Sequence, residues 1–314
     1  MRPSPSFRVA LTFGVLAGLA ACRSDDAPAR RTTGDGESAG STTPEGTPSN
    51  TRGPFPPKNG SAPVVDLGEA SLELNPEDRS LSAALWATGT WEQHQTEFIL
   101  ERLAPGDTFL DVGANLGYYT VLAAKKVGPT GRVFAFEPDP ESFALLQRNV
   151  KRNGLHNVVL ENKAAGAELG TLRLFLSSAN RGDHRVYDPG GGRTSIEVEV
   201  IVLDDYFAKA GGPVHVAKID TRGAECAIVD GMNTMLAEHQ ELALAVAYYP
   251  QFVTAMGYDP KQCFGRLTKH GYALSWVDEV KHQTTPTTVE ALPATVDGAL
   301  LLPRRAKRND SDKP

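Results

Sequence analysis

Two carboxylates stand out by where they fall in the chain. Asp111 closes the apolar run that starts at Thr108, and Glu137 directly follows a second run, Arg132 to Phe136. Between them lies DVGANLGYYT, a turn through Gly113 and Gly117 that enters a helix at Tyr118. A strand, a glycine turn, a helix and a second strand ending in an acid put both carboxylates at the carboxyl edge of an α/β sheet. Such sheets bind ligands at that edge. Gly113 has no Cβ, so its backbone can come close to a ligand. The start of the helix offers unpaired N–H groups. Glu137 is placed to accept both hydroxyls of a ribose. Asn115, Tyr118 and Pro138 are the remaining side chains expected to line this pocket.

The turn discriminates between ligand classes. A dinucleotide site wants G-x-G-x-x-G with the pyrophosphate on the helix N-terminus. Here an acid directly precedes the first glycine, in D-V-G-A-N-L-G. A carboxylate there repels a pyrophosphate but suits a ligand with an amino group and a sulfonium, such as S-adenosylmethionine. The remaining alternative is a plain strand–helix–strand unit that binds nothing.

The segments FLDVGANLGYYT, GRVFAFEPDPESFALLQRNVKRNGL, NRGDHRVY, VEVIVLDDYF and VAKIDTRGAE resemble the FkbM-type methyltransferases. The resemblance runs from about Thr108 to Glu225 and continues more weakly to Tyr272. It implies the fold of class I methyltransferases, a doubly wound, mainly parallel seven-stranded α/β sheet with a small β insert. In that fold the last strand is antiparallel and lies between its neighbours. The resemblance also implies S-adenosylmethionine as cofactor and O-methylation of a hydroxyl on a sugar or natural product.

Composition bounds the partners. A net charge of −6 and the lack of a long basic stripe argue against nucleic acid. Arg2 and Arg8 precede the uncharged run Val9 to Ala21, which is too short to span a membrane and fits a signal peptide. Leu19-Ala20-Ala21-Cys22 resembles a bacterial lipoprotein processing site, with Cys22 as the lipidated residue. The expectation is a signal peptide over 1–22 and a disordered tether over 23–63, poor in large apolar side chains. A methyltransferase domain over 64–303 and a basic tail over 304–314 follow. The protein then belongs at the cell envelope, on a membrane through Cys22, whereas S-adenosylmethionine is made in the cytosol. Cys226 and Cys263 could pair in a secreted protein, but read rather as two buried thiols.

Alternating strand and helix signals continue along the domain. Strands are expected at Thr108–Val112, Arg132–Phe136, Val158–Glu161, Val214–Ile219, Leu242–Ala247, Ala273–Val277 and Gly298–Leu302. One helix is expected from Ala224 to Leu236. Leu172–Leu176 and Glu197–Leu203 flank a polar stretch, Ser177 to Arg193, that reads as a substrate loop over the ligand edge.

Methyl transfer needs an aligned acceptor and a base for its proton. Asp220, at the end of the strand beside that of Asp111, is the first candidate. His184, which titrates near neutral pH, is the second, and Asp183 and Glu225 are further carboxylates in reach. Asn180, Arg181, Asp183 and Arg185 are candidate substrate contacts. No HxxxH or paired CxxC is present, so no metal is expected. Two departures from the family pattern stand out. Arg222 replaces a usual Glu or Gln, and Ala247 replaces the first residue of E-x-x-P. They open a second reading, a methyltransferase fold that binds a ligand or surface glycan without transferring methyl. A nicotinamide-linked oxidoreductase is a third reading, opposed by the glycine spacing.

Overall fold

The computed structural model describes residues 53–57, 62–178, 180–239, 241–278, 283–294, 300–301 and 304–305. The signal peptide expected over 1–22, its Cys22 and most of the 23–63 tether lie outside the described residues, as does the tail beyond 305.

A hairpin of β1 (Val64–Asp66) and β2 (Ser71–Glu73) opens the domain, followed by α1 (Leu81–Thr88) and α2 (Gln93–Glu101). Ahead of the hairpin, Phe55 rests against Trp86, whose Nε1 donates to the Gly53 carbonyl at 2.7 Å. Next come β3 (Thr108–Val112), α3 (Tyr118–Val127), β4 (Arg132–Phe136), α4 (Pro140–Arg152) and β5 (Val158–Glu161). The strands are the β-branched and aromatic runs that suit a pleated, buried surface. Gly117 begins α3 at φ 94°, and a Cβ there would meet Leu146 Cδ1 at 2.5 Å, so only glycine lets α4 pack this close. Asp139 caps α4 by accepting the Ser142 N–H at 3.0 Å, with Pro140 in the first helical position.

The chain then leaves the main sheet. β6 (Ala164–Ala165), β7 (Gly170–Phe175) and β8 (Ser195–Ile201) form a small sheet ordered β6-β8-β7, the expected insert. The second half runs α5 (Leu203–Ala210), β9 (Val216–Ile219), α6 (Glu225–Asp230), α7 (Asn233–Glu238), β10 (Ala243–Ala247), α8 (Pro250–Ala255), α9 (Pro260–Lys269) and β11 (Tyr272–Asp278). It ends with β12 (Gln283–Thr287), β13 (Leu300–Leu301) and β14 (Arg304–Arg305).

The main sheet is ordered β12-β11-β13-β10-β9-β3-β4-β5. From β10 through β9, β3 and β4 to β5 every pair is parallel. β13 is antiparallel and sits between β10 and β11, as the family resemblance implies. The sheet is wider than seven strands, because β12 extends one edge and β14 pairs with β11. Arg304 and Arg305 therefore form a strand with Tyr272 and Ala273 where a tail was expected to begin.

Successive strand residues face opposite sides of the sheet. Leu110, Val112, Ala217 and Ile219 pack with Leu203, Ile228 and Phe264 on the face covered by α5, α6 and α9. Phe109 and Val216 point the other way, to Leu85, Ile99 and Val121 of α1, α2 and α3. Asp111 and Lys218 share that second face by the same alternation.

Two expectations need correction. The helix from Ala224 to Leu236 is broken into α6 and α7. A Cβ on Gly231 at the break would lie 2.1 Å from the Gly166 carbonyl, and the Gly231 carbonyl accepts the Asp204 N–H at 2.9 Å. Backbone from the insert and from α5 presses in where the helix would have continued. The second correction concerns Cys226 and Cys263, which are joined as a disulfide between α6 and α9, with Cα atoms 5.6 Å apart. The two helices cover the same sheet face, and their packing supplies the distance that spacing along the chain did not reveal. The bridge closes 37 residues of chain. Replacing both cysteines with serine should lower stability by roughly 3–4 kcal/mol, read as a lower melting temperature under non-reducing conditions.

Candidate active site

A cleft opens at the carboxyl edge of the parallel strands, between the β3–α3 turn, the end of β4 and the insert. Gly113 N and Ala114 N donate to the Phe136 carbonyl at 2.9 and 3.0 Å, which ties the turn to β4. Gly113 has φ 81°, and a Cβ there would lie 2.0 Å from the Asp220 carbonyl oxygen. The close approach that demands glycine is thus to the end of β9. It draws Asp220 to the turn, and Asp220 N donates to the Val112 carbonyl at 3.0 Å.

Glu137 and Asn115 line this cleft with Pro138. One Glu137 oxygen accepts the Asn115 N–H at 2.7 Å and the other accepts the Asp139 N–H at 2.9 Å. Each oxygen keeps a lone pair for a ligand hydroxyl. Burial pushes the Glu137 carboxyl up to about 7, against the pull of those two N–H groups.

Asp111, Gly117 and Tyr118 are not among the lining residues. Asp111 is fully buried behind the turn, where it accepts from Thr120 Oγ1 at 2.6 Å and faces Lys218 Nζ at 3.6 Å. Burial raises its carboxyl, with Lys218 and Thr120 pulling the other way. Lys218 is held above its usual range, because Asp111 and Asp220 outweigh the desolvation that would lower it. Lys218 escaped the sequence reading; the available signal was a lone cation inside the apolar strand VAKI. The Tyr118 hydroxyl accepts from Trp91 N and Thr96 Oγ1, at 3.4 and 3.3 Å, in the packing of α2 on α3.

The insert closes over the cleft and is latched to it. Asn180 caps the single 3-10 turn Arg181–Asp183 by accepting the Gly182 N–H at 2.9 Å. That turn brings Gly182 so near that a Cβ on it would lie 3.9 Å from Asn115 Nδ2. Arg181 bonds to Glu141 and stands 3.6 Å from Asp139. His184 lines the cleft, but its Nδ1 accepts the Ser177 N–H at 2.9 Å and its Nε2 lies 3.4 Å from Asp139. Burial would raise Asp139, yet His184 and the bonds from Ser142 bring it down to about 2. Nδ1 is thus taken by the Ser177 N–H, while Nε2, which makes no hydrogen bond among the described residues, stands beside the ionised Asp139. Asp183 pairs with Arg185 and Arg193 at 2.8 and 2.6 Å, which holds it below the usual range despite burial. It lies outside the cleft lining, as does Arg185.

Glu225 is also spoken for. Its fully buried carboxylate accepts the N–H groups of Thr221 and Gly223, both at 2.9 Å, and so shapes the loop after β9. Burial raises its carboxyl against those bonds. Asp220 differs from these acids. It lines the cleft, and its buried Oδ1 has no hydrogen-bond partner among the described residues. The nearest cation is the Arg222 guanidinium, with Nε 4.0 Å away. Ala247 is buried at the end of β10 and presents no polar group.

The sheet order and this cleft define a class I methyltransferase domain that uses S-adenosylmethionine. The residues present fit that cofactor. Glu137 would hold its ribose end, Asn115 lines the same cleft where it was expected at the methionine end, and the Asp220 oxygen without a hydrogen bond offers a partner to the cationic end. The model of the FkbM methyltransferase domain matches residues 111–274. The chain belongs to the FkbM methyltransferase domain family. It is 26% identical over 159 residues to methyltransferase 1 of Beauveria bassiana, covering 44% of this chain and 62% of that one. A hexuronic acid methyltransferase of Haloferax volcanii is 29% identical over 147 residues, covering 46% and 58%. The matches thus span less than two thirds of either relative's length. Among solved structures, a precorrin-6y C5,15-methyltransferase of Geobacter metallireducens aligns with a TM-score of 0.39 at 16% identity, over 68% of this chain and 89% of that one.

The Glu137 carboxyl gives a pH test. Accepting ribose hydroxyls selects its ionised form, so below about pH 7 binding must release a proton and weakens. Affinity for S-adenosylmethionine should tighten roughly tenfold from about pH 6 to about pH 8, and Glu137→Gln should flatten that profile in calorimetry.

Proposed function

We propose that the domain transfers methyl from S-adenosylmethionine to a hydroxyl on a sugar or natural product, with Asp220 as the base. The observation that carries this reading is the buried Oδ1 of the cleft-lining Asp220, which has no hydrogen bond among the described residues, while Glu137 and Glu225 accept backbone N–H groups and Asp111, whose Oδ1 is likewise without a hydrogen bond, lies behind the turn beside Lys218. When bound, the cofactor supplies a methyl carbon made electrophilic by its sulfonium. Asp220 takes the acceptor's proton as the oxygen gains the methyl. Glu137 fixes the ribose end, so that binding energy goes into alignment. The insert, held by Arg181 and His184 on Asp139 and Glu141, keeps water out. The hexuronic acid methyltransferase among the relatives supports a sugar acceptor, and the net charge of −6 supports a small molecule over nucleic acid.

Asp220→Asn should slow formation of S-adenosylhomocysteine on a panel of sugars by at least about a hundredfold, the usual contribution of a positioned base. Melting temperature should hold. Equal turnover in that variant would remove Asp220 from the chemistry. The second reading, a cleft that binds without transferring, draws on Arg222, whose guanidinium competes for the same carboxylate. Cofactor binding with no turnover on any sugar would establish it.

We also propose that the protein resides at the cell envelope, anchored by lipid on Cys22. The disulfide supports this, since such bonds persist outside the reducing cytosol. Cys22→Ser should move the protein from the membrane fraction to the soluble fraction on cell fractionation.

A further inference from the structure

Arg222 is expensive to place, and no described residue repays the placement with a hydrogen bond. Its φ is 55°, a left-handed conformation that a residue of this type rarely adopts. The loop is forced into that shape by the buried Glu225 carboxylate, which grips the N–H groups on both sides of Arg222. The side chain is 21% exposed, and its Nε is buried with no hydrogen-bond partner among the described residues. A guanidinium carries five N–H donors in a planar fork, a shape that matches a carboxylate, sulfate or phosphate.

Its surroundings hold it in place while leaving that fork unmatched. The guanidinium lies 4.4 Å over the Tyr249 ring. Tyr249 stacks on Phe252 with centroids 5.4 Å apart, and Phe252 carries the Arg185 guanidinium 4.0 Å above its ring. Arg185 is satisfied by Asp183 and by the Tyr187 hydroxyl. Among the described residues Arg222 pairs with Asp220 alone, at 4.0 Å, beyond the reach of a hydrogen bond. Two arginines thus stand on a shared aromatic wall, one locked and one with open donors. Asp220 connects that wall to the cofactor cleft.

We propose that Arg222 is the anion-recognising residue of an acceptor subsite, and that the acceptor carries a carboxylate, sulfate or phosphate beside its reactive hydroxyl. This rests on the methyl-transfer reading of the cleft. Asp220 takes the hydroxyl proton, and Arg222, itself held over Tyr249, binds the neighbouring anionic group.

The test is a binding experiment, so it does not depend on turnover. Protein saturated with S-adenosylhomocysteine is titrated calorimetrically with glucose, glucuronate and glucose 6-phosphate. At least one anionic sugar should bind at least about tenfold tighter than glucose, the size of one charge-assisted hydrogen bond, and the difference should shrink with added salt. The preferred member of the pair tells a carboxylate site from a phosphate site. Arg222→Gln should erase the preference, and Arg222→Lys should keep part of it. Arg222→Gly should also erase it while raising the melting temperature, because glycine relaxes the left-handed backbone. That rise shows the loss is not one of folding. Equal binding of all three sugars, binding of none of them at millimolar concentration, or a preference that survives Arg222→Gln would overturn the proposal. So would a matching loss of S-adenosylhomocysteine affinity in Arg222→Gln, since the guanidinium would then belong to the cofactor. Failure of S-adenosylhomocysteine to bind the unaltered protein would instead sink the methyl-transfer reading beneath it.

Discussion

The pair of Asp111 and Lys218 sets the frame of the site. The two residues are register partners on the parallel strands β3 and β9, on the face covered by α3. Both are almost wholly withdrawn from water, and their charged atoms lie 3.6 Å apart. Sliding β9 by one residue would turn Lys218 to the opposite face and leave Asp111 alone in the core. An uncompensated buried charge costs about 3–5 kcal/mol, enough to exclude that register. The register in turn decides what stands at the strand ends. Val112 is opposite Ile219, so Asp220 emerges next to the Gly113 turn. Lys218 adds a contact at 3.5 Å to the Gly113 carbonyl, tying the charge pair to the turn above it.

Much of this was legible in the residues. The parallel strands and α3 were found because apolar runs bounded by Gly, Pro and acids report strand and helix ends directly. Glu137, Asn115, Pro138 and Asp220 follow from topology, since strand ends in such a sheet meet at one edge. What could not be read was the direction of individual side chains. Asp111 and Glu137 look equivalent along the chain, yet Asp111 falls on the covered side of its strand and Glu137 lies one residue beyond the end of β4, in the cleft. His184 and Glu225 have the chemistry of bases. Their role was fixed by groups remote from the motif, such as Asp139, or by N–H groups that only a folded loop presents. Cys226 and Cys263 needed the packing of α6 on α9, which no spacing encodes.

The acids of the carboxyl edge divide the labour between shape and chemistry. Glu225 shapes the loop after β9, Asp139 anchors the insert, and Asp111 fixes strand register. Each is held by protein groups, Asp111 by Thr120 and the charge of Lys218, which is how buried carboxylates are made tolerable. Asp220 is left unsatisfied at Oδ1, and Arg222 beside it is left without a hydrogen bond. These neighbours are polar groups that the fold orders without satisfying, and such groups are where a ligand finds its strongest contacts.

The disulfide has a consequence for motion. The covalent ring it closes contains β10 and α8, and with them Tyr249 and Phe252. One end of that ring, Cys226, is in α6, whose first residue is the Glu225 that grips the Asp220–Gly223 loop. Local opening of proteins proceeds in contiguous cooperative units. Here the crosslink makes the aromatic wall and the loop that bears Asp220 and Arg222 members of one such unit. The two sides of the acceptor region are therefore expected to protect their amides together and to open together.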